Sequence, residues 1–128
     1  MNAPRWLAAG LLALLTAGCS GGGSDAAPDI KVELAFQPSP PKVGAAEATV
    51  TLADAGGQPA RGAAVKLEGN MNHAGMAPVF ADARETEPGQ YHAEMTFTMG
   101  GDWFVLVNAT LADGRKVTRK VDVRGVKR

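Results

Sequence analysis

Two methionines and a histidine lie close together in the segment GNMNHAGMAPV, at positions Met71, His73 and Met76. Methionine thioethers and neutral imidazole are soft to borderline ligands, which suit Cu(I) in a compartment where an unpaired thiolate would be oxidised. In an extended chain Met71 and His73 would point the same way, and Gly75 could adopt a positive φ that folds the chain back. The spacing therefore predicts a copper site with Met76 as the third ligand.

The same segment has two other interpretations. Methionine fills irregular gaps in protein cores, so Met71 and Met76 could cap one end of a folded domain while His73 is merely solvated. The segment could also be an apolar tip that contacts a partner protein. Met99 would join the candidate ligands only if the fold brings its turn to the same end, and His92 is expected to be a surface residue on a strand.

The rest of the chain gives no indication of catalysis or of nucleic-acid binding. The 128 residues include 13 basic and 13 acidic side chains, without a basic stripe that would attract nucleic acid. There is no Ser/His/Asp constellation and no Gly-rich phosphate loop after a strand. We therefore expect a binding domain that is not an enzyme, has no catalytic residues and requires no cofactor.

The N-terminal residues are typical of an exported lipoprotein. Arg5 precedes an apolar run at 6–15 that is too short to span a membrane, which predicts a signal peptide over residues 1–18. The sequence LTAGCS resembles a bacterial lipobox, whose cysteine, here Cys19, is lipidated and becomes the mature N-terminus. Residues 19–29 are rich in Gly, Ser and Ala and predict a flexible tether. We expect a protein of the cell envelope, anchored to a bacterial membrane with its domain in the periplasm or outside.

The elements that must position the candidate site are strands. Over residues 30–128 apolar and polar residues alternate in short runs that are separated by turn signals. The runs predict strands over residues 30–36, 47–53, 64–68, 77–83, 91–98, 103–111 and 116–123. Pro78 indicates that the fourth strand lies at an edge or starts late, and the apolar run from Trp103 predicts a central strand. About seven short strands fit an all-β, immunoglobulin-like β-sandwich, with a small barrel as the alternative.

The order and spacing of these motifs resemble the YtkA-like domain family, which is also similar to FixH-like proteins. The matching segments are DAGGQPARGAAVKL at 54–67, NMNHAGMAPV at 70–79, PGQYHAEMTFTMGGDW at 88–103 and the closing hairpin. The resemblance implies an exported, membrane-attached, non-enzymatic domain connected with metal handling or cytochrome oxidase assembly. We accordingly expect the membrane, reached through Cys19, and either an envelope protein complex or a metal-transport protein as partners.

Overall fold

The computed structural model describes residues 29–73 and 75–128 of the chain. The predicted signal peptide, the predicted lipidation site Cys19 and nearly all of the predicted tether lie outside the described residues. The described residues form seven strands: β1 (Lys31–Gln37), β2 (Gly44–Ala53), β3 (Ala64–Asn70), β4 (Val79–Glu87), β5 (Gln90–Phe97), β6 (Gly101–Thr110) and β7 (Lys116–Val126). They form no helix long and apolar enough to cross a membrane. The prediction of an all-β fold with about seven strands is confirmed.

All neighbouring strands are antiparallel, in the order β1-β2-β5-β4-β3-β6-β7. β4 joins the two halves of this sheet, because residues 79–83 pair with β3 whereas residues 84–87 pair with β5. The strands therefore form two layers, β1-β2-β5 and β3-β6-β7, that share β4 and enclose one core. The result is a sandwich-like fold that wraps almost into a barrel.

The period-two alternation of the sequence decides which side chains enter the core. In β5 Tyr91, Met95 and Phe97 are fully buried, and His92 between them is exposed. β6 is hydrogen-bonded on both sides, which confirms the prediction of a central strand. Its Trp103 is 3 % exposed, and the Trp103 and Phe97 ring centroids lie 5.2 Å apart in an edge-to-face contact.

All seven predicted strands are present, but most of their boundaries differ from the prediction by one to four residues, and the differences in β4 and β2 have a physical reason. β4 starts at Val79, directly after Pro78, as the missing backbone donor of proline predicts. It then continues through four polar residues to Glu87, because the second half of β4 pairs with β5. β2 starts at Gly44 and not at residue 47, since its small first residues pair with the end of β5.

The two outermost strands, β1 and β7, approach each other along a seam that is bridged at both ends. At one end Arg119, which breaks the apolar alternation of β7, donates a hydrogen bond from Nη2 to the Ile30 carbonyl oxygen (3.2 Å). At the other end Val43 N donates to Lys127 O (2.7 Å), and Lys127 N donates to Pro41 O (3.0 Å). These bridges explain why the sheet nearly closes on itself.

The antiparallel order sorts the connections into two groups at opposite ends of the fold. We call the end at which Asp29 enters β1 the tether end, and it includes the turns at residues 54–63, 88–89 and 111–115. The opposite end, the distal end, carries residues 38–43, 71–78, 98–100 and 127–128. The candidate ligands therefore lie at the end farthest from the predicted tether.

Candidate functional site

The loop between β3 and β4 carries the predicted copper ligands. β3 ends at Asn70, and the chain then bends through His73, whose carbonyl oxygen accepts a hydrogen bond from Met76 N (3.4 Å). Gly75 has a φ of 82°, which confirms the predicted reversal of the chain at this glycine. Pro78 ends the loop one residue before β4. The loop is therefore a compact turn held between two strands of the same layer.

The three predicted ligands occupy three different environments. Met71 is 8 % exposed and belongs to the core, and a Cβ added to Gly101 would lie 3.4 Å from the Met71 methyl carbon. Met76 is half-buried against the core, and His73 is exposed. Met71 and His73 therefore do not point the same way, because the chain bends directly after Met71. The His73 imidazole therefore lies at the surface, the Met76 thioether is half-buried, and the Met71 thioether lies in the core.

Met99 lies at the same end of the molecule as this loop. Its side chain is 40 % exposed, and its carbonyl oxygen accepts a hydrogen bond from Trp103 Nε1 (3.0 Å). The Met71 methyl group lies on the side of Gly101 where a Cβ would be, which brings the loop beside the start of β6, two residues after Met99. The fold thus meets the condition on which Met99 was considered as an additional ligand, namely that the two turns share one end.

The floor beneath the loop is apolar and tightly filled. A Cβ on Gly69 would collide with the methyl group of Met95 and would lie 3.6 Å from the Trp103 ring. Met95 is fully buried, as the sequence predicts for its place on the inward face of β5. Glycine at position 69 therefore leaves room for the end of the Met95 side chain and for the Trp103 ring beside the β3 backbone. The core ends directly under the loop.

The donor atoms at the distal end are soft. Residues 29–73 and 75–128 hold no group of three His, Cys, Asp or Glu side chains close enough to share a metal ion. Thioethers and one imidazole are the side chains available in the loop, which is a donor set suited to Cu(I) more than to hard cations. His92 lies elsewhere, on the outer face of β5, where its Nδ1 is 3.3 Å from Thr49 Oγ1. The expectation of a surface histidine is confirmed.

A polar network at the tether end was not recognised in the sequence. The Tyr91 hydroxyl donates to Ala60 O (2.8 Å) and accepts from Ala63 N (3.0 Å), and burial raises the pKa of Tyr91. The Glu85 carboxylate accepts from Gly89 N and from Gly62 N, each at 3.1 Å. These backbone hydrogen bonds, that of Gly89 first, lower the pKa of Glu85. The one sequence feature that could have indicated this network is Tyr91, the first of the inward-facing residues of β5.

The fold and the loop define a small, all-β, sandwich-like domain that carries methionine and histidine donors at one end. A family model described as YtkA-like matches residues 24–108, which is more than half of the chain. The chain therefore belongs to the YtkA-like family, and the resemblance seen in its motifs is confirmed. Membership indicates an extracytoplasmic domain. No curated protein and no solved structure matches the chain.

Proposed function

We propose that this protein is a non-enzymatic binding domain, lipid-anchored at Cys19 in the cell envelope, that holds or passes Cu(I) through Met71, His73 and Met76. Met99 is the additional donor on the neighbouring turn. The observation that carries the proposal is the placement of both methionine-bearing turns at the distal end, opposite Asp29. A domain tethered through Asp29 presents these donors away from its anchor.

The graded burial of the three ligands suits an ion that is taken up and passed on. The exposed His73 and the half-buried Met76 are accessible to an arriving ion. Met71 supplies the inner donor, and its three rotatable side-chain bonds let the sulfur turn from Gly101 toward the loop without movement of β3. Cu(I) accepts low coordination by thioethers and imidazole, so no carboxylate is needed.

Competition with a Cu(I) chelator tests this proposal. We expect reduced, metal-free protein to take up one ion, and the combined variant Met71→Leu, His73→Gln, Met76→Leu to take up none. Leucine keeps the volume of methionine and removes the thioether, so the fold should survive. Met95→Leu is the matched control, because it makes the same change at a fully buried position outside the loop. The absence of uptake by the unaltered protein would contradict the proposal.

Anchoring is tested separately. Cys19→Ser removes the acceptor for the lipid, and we expect the protein to move from the membrane fraction to the soluble fraction of the envelope. The single variant Met71→Leu, which keeps Cys19, should remain in the membrane fraction like the unaltered protein. Undiminished retention of the Cys19→Ser protein in the membrane fraction would rule out lipid attachment at this residue.

A protein-interaction module without metal is the second candidate, and one observation favours it. Phe80, the second residue of β4 and therefore next to the loop, has 60 % of its surface exposed. A large aromatic side chain in this position is typical of a contact with another protein. This alternative expects a cross-linked envelope complex that persists with a Cu(I) chelator and is lost with Phe80→Gln. Loss of the complex with chelator alone would favour the copper proposal.

A further inference from the structure

The distal end carries three basic side chains, those of Lys42, Lys127 and Arg128. Lys42 and Lys127 pair through their backbones in a parallel bridge, and the Arg128 side chain packs against Gly100. All three cations are exposed, and none forms an ion pair within the part of the chain that the structure describes. Asp102, the acidic residue next to this turn, accepts a hydrogen bond from Gly125 N (2.9 Å). The three basic side chains outnumber this one acid, and the excess of positive charge can attract an anionic surface.

An apolar hollow opens beside Arg128, and Lys42 and Lys127 are the chain neighbours of two of its lining residues. It measures about 360 Å³ and is lined by Val43, Thr98, Met99, Gly100 and Arg128. Val43 is 42 % exposed and Met99 is 40 % exposed, which makes them two of the three large apolar side chains exposed among the described residues. Thr98 supplies a hydroxyl beside the hollow, and the charged groups lie on long side chains. The result is an apolar centre with a basic rim, which we call the distal tip.

The chemistry of the distal tip favours lipid over protein as the occupant. A stable protein interface buries about 800 Å² on each partner and carries about one hydrogen bond per 100–200 Å². Two exposed apolar side chains and flexible ammonium and guanidinium groups do not provide such a surface. They do match a bilayer, where short apolar side chains enter the acyl boundary and basic groups attract anionic headgroups without a fixed geometry.

We propose that the distal tip docks on an anionic lipid surface, with Val43 and Met99 entering the acyl boundary and Lys42, Lys127 and Arg128 contacting headgroups. The inference goes beyond copper binding and does not depend on it. It also does not depend on acylation, because the tip lies at the end opposite Asp29. A protein that is also anchored at its tether end would gain a second membrane contact, and because this contact is reversible, Met99 and the other distal donors would face away from the anchor whenever the tip is undocked.

Vesicle co-sedimentation tests the inference with the chain from Ser20 to Arg128, which keeps the complete core from Ile30 to Val126 and lacks the acylated cysteine. A Cu(I) chelator in every sample removes any contribution from metal. We expect binding to phosphatidylcholine vesicles that contain phosphatidylglycerol, little binding to phosphatidylcholine alone, and weakening by added salt. Failure to bind the anionic vesicles would overturn the inference and leave the copper proposal untouched.

Matched variants locate the contact. The combined variant Lys42→Glu, Lys127→Glu, Arg128→Glu should weaken binding on the order of a hundredfold, since each basic residue near the surface contributes about fivefold. Arg61→Glu, Arg84→Glu, Lys116→Glu makes the same change in net charge away from the tip and should have a much smaller effect. An equal loss in both variants would show that net charge alone governs binding and would overturn the proposed site.

The apolar centre is tested in the same assay. Val43→Asn combined with Met99→Gln should weaken binding on the order of tenfold, because both side chains lose their place in the acyl boundary. Phe80→Gln removes an even more exposed apolar side chain (60 %) outside the tip and should leave binding unchanged. If the unaltered chain ignores vesicles but binds polyglutamate in a salt-dependent manner, an acidic polypeptide is the occupant and the lipid assignment is wrong.

Discussion

The two ends of the sandwich are built by different kinds of interaction. At the tether end the turns are joined by side chains that bond to the backbone, as Tyr91 does with Ala60 and Ala63, and as Asp54 does with Gly56 N (2.9 Å). At the distal end the Trp103 indole bonds to Met99 O, and the loop rests on Met71 packed beside Gly101. Hydrogen bonds between side chains and backbone are thus more numerous at the tether end, and apolar packing contributes more at the distal end.

This difference indicates which end is suited to binding. Hydrogen bonds from fixed side chains hold a turn in one geometry, and their loss leaves unsatisfied groups. Methionine side chains change rotamer at a small cost in free energy, so a surface supported by methionines can rearrange around an ion or a partner. The distal end combines such side chains with exposed His73, whereas the tether end combines rigidity with the entry of Asp29. Under the copper and anchoring proposals, binding and attachment would therefore lie at opposite ends of the strands.

The largest effect is expected from the packing beneath the distal end. Phe97→Ala removes a fully buried ring that contacts the rings of Phe36 (5.3 Å between centroids) and Trp103 (5.2 Å). Such a cavity should lower the free energy of unfolding by about 3–5 kcal/mol, measured by urea denaturation. Phe80→Ala is the control, because the same change at a side chain that is 60 % exposed should cost much less. Equal losses in the two variants would refute the role of packing at this end.

The sequence predicted most of this core because alternation alone separates buried from exposed positions. Alternation along the predicted strand at 91–98 puts Tyr91 and Met95 on one face, and both are buried, as is Trp103 in the apolar run that predicts a central strand. The pattern could not show that β4 is shared by two layers, since pairing partners depend on distant strands. The same limitation explains why the polar stretch that ends at Glu87 was not recognised as a strand. Local periodicity predicts whether a side chain faces the core or the solvent, but it does not predict which strands pair with its own.

The second-largest loss of stability is expected at the tether end. Tyr91→Phe keeps the buried ring but leaves Ala60 O and Ala63 N without the hydroxyl that bonds to both. We expect the free energy of unfolding to fall by about 1–3 kcal/mol, which is the cost of unsatisfied groups in a partly buried site. The change should appear as a lower urea midpoint with an unchanged slope. A variant as stable as the unaltered protein would show that water replaces the hydroxyl and that this end is less rigid than its bonds indicate.

The candidate site was only partly predictable. The sequence provided the ligand types and the reversal at Gly75, because both are local properties. It could not provide the burial of Met71, which depends on Gly101 in a strand thirty positions later in the chain. Nor could it place Met99 at the same end, since that depends on the order of the strands. The chemical types of the candidate ligands could therefore be predicted from the sequence, but their positions relative to one another could not.

Met71→Leu should separate packing from binding. Leucine fills nearly the same volume beside Gly101, so the free energy of unfolding should change by less than about 1.5 kcal/mol. Under the copper proposal the same variant loses the inner thioether, and its affinity for Cu(I) should fall well below that of the unaltered protein. Parallel urea denaturation and chelator competition measure the two properties. A variant with unchanged affinity would place the ion on Met76, His73 and Met99 without Met71.

The smallest effect concerns the response of the tether end to acid. The Glu85 carboxylate accepts two backbone hydrogen bonds, which lower its pKa in the folded protein. Its contribution to stability is therefore complete above the pKa of the unfolded chain, near 4.5, and is lost as the pH falls through the lower folded value. When the pH is lowered from neutral to below this range, the free energy of unfolding should therefore fall less for Glu85→Gln than for the unaltered protein.

Urea midpoints measured across this pH range provide the test, with Glu87→Gln as the control in the same strand. Glu85 is exposed, so solvent screens its charge and the difference should be small. The two turns that it joins, at Gly62 and Gly89, both lie at the tether end. Acid should therefore loosen the tether end before the distal loop, so the protection of the Gly62 and Gly89 amides against hydrogen exchange, corrected for the intrinsic rate at each pH, should fall before that of the Met76 amide. The reverse order would mean that the distal loop, and not the polar network, is the first part of the fold to yield to acid.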